Sequence, residues 1–250
     1  MQYGICHLSI VPVRLTTDDS AEMITQILYG EHYKVLEQRK QWAKVRLALD
    51  GCEGWVNNSQ INLIEKNAYS QLDKSQDRKY TSELISSVEC RNKRLTPIVL
   101  GSTLPDVTIL DRTFEGASVN GNVKKDNLIN TALFYLNAPY LWGGRTPFGI
   151  DASGLSQMAY KINGVALSRA ADQQALQGDA LSFIEESEPG DLAFFDDNEG
   201  KIYHVGLIMG DNYIIHSHGK VRVDRIDHTG IFDTETRLYT HKLRVIKKIV

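Results

Sequence analysis

Cysteine is scarce. Cys6, Cys52 and Cys90 are the whole complement in 250 residues. An odd, widely spaced set supports neither a disulfide framework nor a zinc cluster, and reads as free thiols packed in a reducing compartment. Positive charge is not in excess either: 28 Lys and Arg stand against 31 Asp and Glu, a formal net charge of -3. No global field therefore recruits nucleic acid or an anionic membrane, and the pair Lys247-Lys248 is too short to count as a basic block. Long apolar runs are missing; none approaches the roughly 18 residues a spanning helix needs. Met1 to Val13 has no basic stretch followed by an apolar one, so it does not read as a secretory signal. The expectation is a cytoplasmic monomer with no nucleic-acid or membrane partner.

What is present is ordinary globular material, 42% hydrophobic and 24% charged, at a length that predicts two or three domains. Residues 1–64 read as short strands. Tyr33 to Glu37 and Trp42 to Leu47 alternate with a period of two, Asp50-Gly51 makes a tight turn, and Gly54-Trp55-Val56 opens the next strand. Strands and turns at this density predict a small β-barrel. Residues 65–122 are weaker in pattern. A short helix within Tyr69 to Ser87, strands at Arg94 to Gly101 and Asp106 to Leu110, and a Gly/Asn-rich linker from Gly116 to Asn122 are expected. Residues 123–250 change character. Helices are expected over Asn127 to Leu136, Ala152 to Ile162 and Leu167 to Leu176. Strands follow at Asp191 to Phe195, His204 to Met209, Tyr213 to His216 and Thr240 to Val250. Helices ahead of an antiparallel meander make an α+β domain.

The chemistry is concentrated in two places. Pro139 to Gln157 contains a Gly-rich loop that runs into a helix starting near Asp151. A group in the first turn of that helix feels the partial positive charge of its N-terminus and lies beside backbone N–H groups with no intrahelical acceptor. Tyr140 and Trp142 can wall a cleft there. Downstream, His204 and His216 lie on neighbouring strands around the turn residues Gly210-Asp211-Asn212. A hairpin centred on residue 210 would set the two histidines opposite each other on one face. His204 would then serve as a base and His216 would fix its tautomer. His218 shares the parity of His216 and is a rival for that role. His7, His32, His228 and His241 carry no motif and are expected to do surface or packing duty. No His-Glu-x-x-His or Cys/His ligand spacing occurs, so neither a catalytic metal nor any other cofactor is expected.

The run Tyr140-Leu141-Trp142-Gly143-Gly144 through Asp151-Ala152-Ser153-Gly154-Leu155 closely resembles the signature of the NlpC/P60 family of papain-like cell-wall peptidases. The spacing of the His204-x-Gly206 strand and His216 is similar to that family as well. Val13-Arg14, Gly30-Glu31, Trp42 to Val45 and Gly51-x-x-Gly54-Trp55-Val56 resemble bacterial SH3-like domains. The fold so implied is α+β: a papain-like catalytic domain at 123–250 behind one SH3-like barrel at 1–64 and a degenerate second barrel with linker at 65–122. In the family the position of Ala152 is the nucleophilic cysteine. A thiol there would be held toward thiolate by the helix N-terminus, and Tyr140 could donate a hydrogen bond at the reacting centre.

Barrels ahead of such a domain resemble the γ-D-glutamyl-L-diamino acid endopeptidases. These cut murein peptides between γ-D-Glu and diaminopimelate or Lys when the N-terminal L-Ala is free. The resemblance implies Asp151 and Glu22 as partners for the free amine, and Ser153 with Arg169 for the γ-D-Glu carboxylate. Family members often carry Asp after this Arg; here Ala170 follows. Alanine at 152 has no nucleophilic atom, so the chain as written is expected to be inactive, through an engineered Cys-to-Ala change or as a natural pseudoenzyme that binds murein peptides. A wall-anchoring protein acting through its SH3-like modules, and a papain-like amidase of other specificity, are the remaining readings.

Overall fold

The computed structural model describes residues 1–121, 125–197 and 199–250. The boundaries expected at residues 122 and 123 lie outside the described residues. The chain divides into two compact units. Met1–Gly121 forms the first together with Trp142–Thr146; Pro147–Val250 and the described residues just before Trp142 form the second.

In the first unit, β1 (Gln2–Ile5), β2 (Ile10–Arg14), β3 (Met23–Leu28), β4 (His32–Gln38), β5 (Trp42–Leu47), β6 (Glu53–Asn57) and β7 (Leu63–Ile64) form one antiparallel sheet in the order β3-β2-β6-β5-β4-β1-β7. Alternation explains the core. Tyr33 and Val35 of β4 and Ala43, Val45 and Leu47 of β5 point inward and meet Val11, Val13, Ile27 and Val56. A helix, α1 (Lys66–Lys74), leads to two three-stranded sheets. One is β10 (Leu95–Val99), β9 (Ile85–Cys90) and β12 (Arg112–Phe114). The other is β11 (Thr103–Leu104), β8 (Lys79–Thr81) and β13 (Ser118–Asn120).

Two local expectations fail here. Val107–Leu110, read as a strand, is the short helix α2, because Asp106 caps it by accepting from the Thr108 N–H at 2.9 Å. The stretch read as a linker contains β13, whose backbone adds to the edge of β8.

The second unit begins with α3 (Lys125–Leu133). Two short strands lie on the Gly-rich loop, β14 (Arg145–Thr146) in the first unit and β15 (Gly149–Ile150) in the second. Then come α4 (Ala152–Ile162) and α5 (Ala171–Gln174). Seven strands follow: β16 (Asp179–Leu181), β17 (Leu192–Asp196), β18 (Ile202–Ile208), β19 (Tyr213–His218), β20 (Lys220–Ile226), β21 (Gly230–Asp233) and β22 (Leu238–Lys248). The expected meander goes one step further than a sheet. β17 to β21 run in sequence order, and β22 pairs with both β17 and β21, closing six strands on themselves. Closure removes the edges a meander would expose. Ala193, Phe195, Ile208, Ile214, Ile226, Ile231 and Ile246 pack together as a core of this barrel. The buried face of α4 packs on β18 and β19, which brings the helix start to the strands that carry the histidines.

Candidate active site

The start of α4 is fixed by Asp151. It is the N-cap, in extended conformation, and its Oδ1 accepts from the Gly154 N–H at 2.7 Å. The same carboxylate is gripped by Arg169, with Nη1 3.0 Å from Oδ1 and Nη2 2.6 Å from Oδ2. Arg169 Nη1 also donates to Ser153 Oγ at 2.9 Å. Three of the residues singled out from the sequence, the buried Asp151 and Arg169 and the half-buried Ser153, therefore form one polar knot. Ala152, the first residue of α4, is buried at its base. Tyr140 is half-exposed. Its phenol is pushed up by partial burial and then by the negative charge of Asp151. Its segment is held by the Tyr140 N–H donating to Gly219 O at 3.0 Å, and by Ser217 Oγ donating to Ile150 O at 2.8 Å.

The histidines meet, although not by the register expected. Gly206 pairs with His216, Leu207 with Ile215 and Ile208 with Ile214, so the hairpin is centred on residue 211 rather than 210. Asp211 and Asn212 both take positive φ, 59° and 60°, and the turn they form adds the extra step. His204 thus lies diagonal to His216, not opposite it. Parity is unchanged, so both stay on one face. A Cβ at position 206 would come within 2.9 Å of His216 Cβ, which is why glycine stands across from His216.

His204 Nε2 lies 2.9 Å from His216 Nδ1, and His216 Nε2 lies 2.8 Å from Asp224 Oδ2. Arg222 Nε meets that same Oδ2 at 2.6 Å. A carboxylate can only accept, so His216 donates from Nε2, accepts at Nδ1 from the His204 Nε2–H, and leaves the lone pair of His204 on Nδ1. Burial is severe, at 1% exposure for His216 and 4% for Asp224. It drives the His204 imidazole well below its ordinary range, helped by the neighbouring His241, His216 and His218. His216 is lowered by burial against the opposing pull of Asp224. Asp224 is held below the usual carboxylate range because its hydrogen bonds to His216 and Arg222 outweigh its burial.

Sequence reasoning missed Asp224. It also left His241 to surface or packing duty. His241 is 4% exposed, its ring stacked on His204 with centroids 4.1 Å apart. His218 is exposed and meets His241 edge-on at 4.9 Å; the partner of His204 is His216.

Trp142 and Glu22 meet within the first unit, where Trp142 Nε1 donates to Glu22 Oε1 at 2.6 Å. The rest of this loop is tied down by Arg145, whose guanidinium donates to Gln26 O at 2.7 Å and to both oxygens of Glu31 at 2.9 and 2.8 Å. Gly143 has φ +76°, and a Cβ there would fall 2.2 Å from Met23 O, so only glycine fits.

Comparison with known proteins gives this geometry a lineage. Residues 137–239 match the model of the NlpC/P60 family, and residues 13–61 match that of the bacterial dipeptidyl-peptidase Sh3 domain. A γ-D-glutamyl-L-lysine dipeptidyl-peptidase of Bacillus subtilis is 30% identical over 223 residues, spanning 81% of this chain and 74% of that protein. The chain belongs to the NlpC/P60 family. Dipeptidyl-peptidase 6 of Lysinibacillus sphaericus is 26% identical over 84% of this chain and 86% of its own length. A crystal structure of an NlpC/P60 family protein from Bacillus cereus superposes with a TM-score of 0.81 at 19% identity, covering 99% of each chain, and so shares the fold. The expected architecture is thereby borne out: α+β, with a papain-like NlpC/P60 domain behind an SH3-like region.

Proposed function

We propose that this chain binds murein peptides of the L-Ala-γ-D-Glu-diamino acid type in its NlpC/P60 domain, and that its sequence leaves it without the group that would cut them. One observation carries the reading. The relay His204–His216–Asp224 is assembled, with 2.9 and 2.8 Å contacts, while the residue at the start of α4 is alanine. A methyl group has no lone pair with which to attack a carbonyl.

A cysteine at 152 supplies what is lacking. Its proton passes to His204 Nδ1, and the thiolate attacks the γ-carbonyl of D-Glu. The oxyanion lies against N–H groups of the first turn, where Ala152 and Ser153 have no intrahelical acceptor by position. His204 then returns the proton to the departing amine of the diamino acid. In the second half, His204 deprotonates a water that hydrolyses the thioester and frees L-Ala-γ-D-Glu. Recognition falls to the Asp151–Ser153–Arg169 knot, with Asp151 for the free amine and the Ser153–Arg169 pair for the D-Glu carboxylate.

A second departure favours natural divergence over a single engineered change. Ala170 occupies the N-cap of α5 and makes no side-chain cap hydrogen bond. Alanine is a poor residue there, whereas aspartate, which the family resemblance implies after this Arg, is a good one; the chain thus departs from the family pattern at 170 as well as at 152.

The test pairs binding with rescue. The unaltered chain is titrated calorimetrically with L-Ala-γ-D-Glu-meso-diaminopimelate and with its N-acetylated form. Ala152→Cys protein is incubated with both and assayed by mass spectrometry for the L-Ala-γ-D-Glu dipeptide. Binding of the free-amine peptide by the unaltered chain, with release only by the cysteine form, supports the proposal. Release by the unaltered chain, or binding of neither peptide, overturns it.

A further inference from the structure

Beside the two imidazoles of the relay, His204 and His216, lies a third buried imidazole that the relay does not use, His241. One ligand nitrogen each from His204, His216 and His241 lies within 4.8 Å of the others, and all three side chains are buried. We propose that these three histidines form a binding site for a divalent transition-metal ion, zinc being the first choice. The proposal stands apart from peptide recognition and from the absent thiol.

The geometry supports it at three levels. The first is distance. A tetrahedral ion with Zn–N bonds of about 2.0–2.1 Å holds its ligand nitrogens about 3.3 Å apart. His204 Nε2 and His216 Nδ1, at 2.9 Å, need to open slightly. The widest spacing needs to close by about 1.5 Å, and the His241 ring, stacked on His204 with planes 28° apart, has to turn out of that stack for its lone pair to meet the same ion.

The second is the outer layer of hydrogen bonds. Metal-bound histidines characteristically give their other ring nitrogen to a carboxylate or another oxygen, which sets the tautomer and raises ligand basicity. His216 does so through Nε2 to Asp224 at 2.8 Å, and His241 meets Thr240 Oγ1 through Nδ1 at 2.8 Å. His241 keeps its second nitrogen for an ion, and His216 Nδ1 becomes available to one when the proton it accepts from His204 Nε2 moves away. Arg222 donates to both oxygens of the same carboxylate, Nε to Oδ2 at 2.6 Å and Nη2 to Oδ1 at 2.8 Å, and so fixes the acceptor that orients His216.

The third is protonation. Only neutral imidazole binds metal, and the hydrogen bonds from His204 to His216 and from His216 to Asp224 already place a single proton on each of these two rings. The ion takes the place of the proton that His204 and His216 share; that proton moves to His204 Nδ1, and the pair stays neutral overall. Three histidines and one open position suit zinc, copper or nickel rather than magnesium or calcium, which prefer oxygen ligands.

The test uses the full chain, stripped with a chelator and titrated with Zn²⁺ by calorimetry and with Co²⁺ by visible absorption. The expected result is one ion per chain with a dissociation constant at or below micromolar, and Co²⁺ bands of tetrahedral intensity. His241→Phe keeps a ring on His204 but removes a ligand, and should weaken binding at least about 100-fold; Asp224→Asn should weaken it by about 10–100-fold. His228→Ala and His218→Ala should stay within about twofold, since a three-ligand site does not use them. Circular dichroism in chelator checks that each variant folds. Ring ¹⁵N shifts of the unaltered chain give a readout free of mutation: His204 Nε2 should lose its proton to Nδ1 when zinc is added. Absence of stoichiometric binding, binding that survives His241→Phe, or an unchanged His204 tautomer would each overturn the proposal.

Discussion

Acid should destabilise the second unit through the histidines that build its site, and His241 allows the size to be worked out. Burial, followed by the positive potential of His216 and His218, holds its pKa at about 3 against an ordinary 6.5. The folded chain therefore resists a proton that the unfolded chain accepts. Above pH 6.5 neither state is protonated and the stability is fully present. As the pH falls below 6.5 the unfolded state gains protons and the folded state does not, so stability drains at up to roughly 1.4 kcal/mol per pH unit. Between pH 8 and pH 5 this one residue costs about 2 kcal/mol. His204 and His216 are displaced in the same direction and add to the loss. Asp224, displaced downward as a carboxylate, contributes only in stronger acid. The assay is urea denaturation at intervals from pH 8 to pH 5 with chelator present, on the unaltered chain and on His241→Phe. The variant should lose about 2 kcal/mol less than the unaltered chain across that range. Identical pH dependence in the two proteins would refute the reasoning, as would stability that rises on acidification.

Other changes test other parts of the scaffold. Glu31→Gln takes a full negative charge from beside the Arg145 guanidinium, 0% exposed, which donates to both Glu31 oxygens at 2.9 and 2.8 Å; a loss of up to about 5 kcal/mol by urea denaturation is expected. Gly143→Ala forces a Cβ onto Met23 O at positive φ, and should cost at least about 1 kcal/mol from the backbone alone. Ala170→Asp supplies the missing cap of α5, and should stabilise by about 1 kcal/mol, or raise Tm by about 2–4 °C in a thermal melt.

Legibility followed sequence distance. The cap at Asp151, the helix behind it and the shared face of His204 and His216 were readable because each depends on neighbours a few residues away: a capping side chain, a 3.6-residue period, a hairpin whose parity survives a one-step error in its centre. The same local logic misread Val107–Leu110, where a strand-like apolar run is overruled by Asp106 at its N-cap. Asp224 and His241 are a different matter. Asp224 acquires its role only because β20 pairs with β19 so that Ile214 faces it and His216 faces Arg222. His241 acquires its role only because β22 closes the barrel. Phe195 pairs with His204 on one side and with Leu243 on the other, and this brings His241, of the same parity as Leu243, onto the His204 ring. A linear meander leaves β22 at the end of the sheet, with His241 thirty-seven positions and several strands from His204. Barrel closure is a property of the whole sheet, carried by twist and register rather than by any short pattern. The residue it delivers to the site, His241, is therefore one that a motif cannot announce, and it sets a third buried imidazole against the pair.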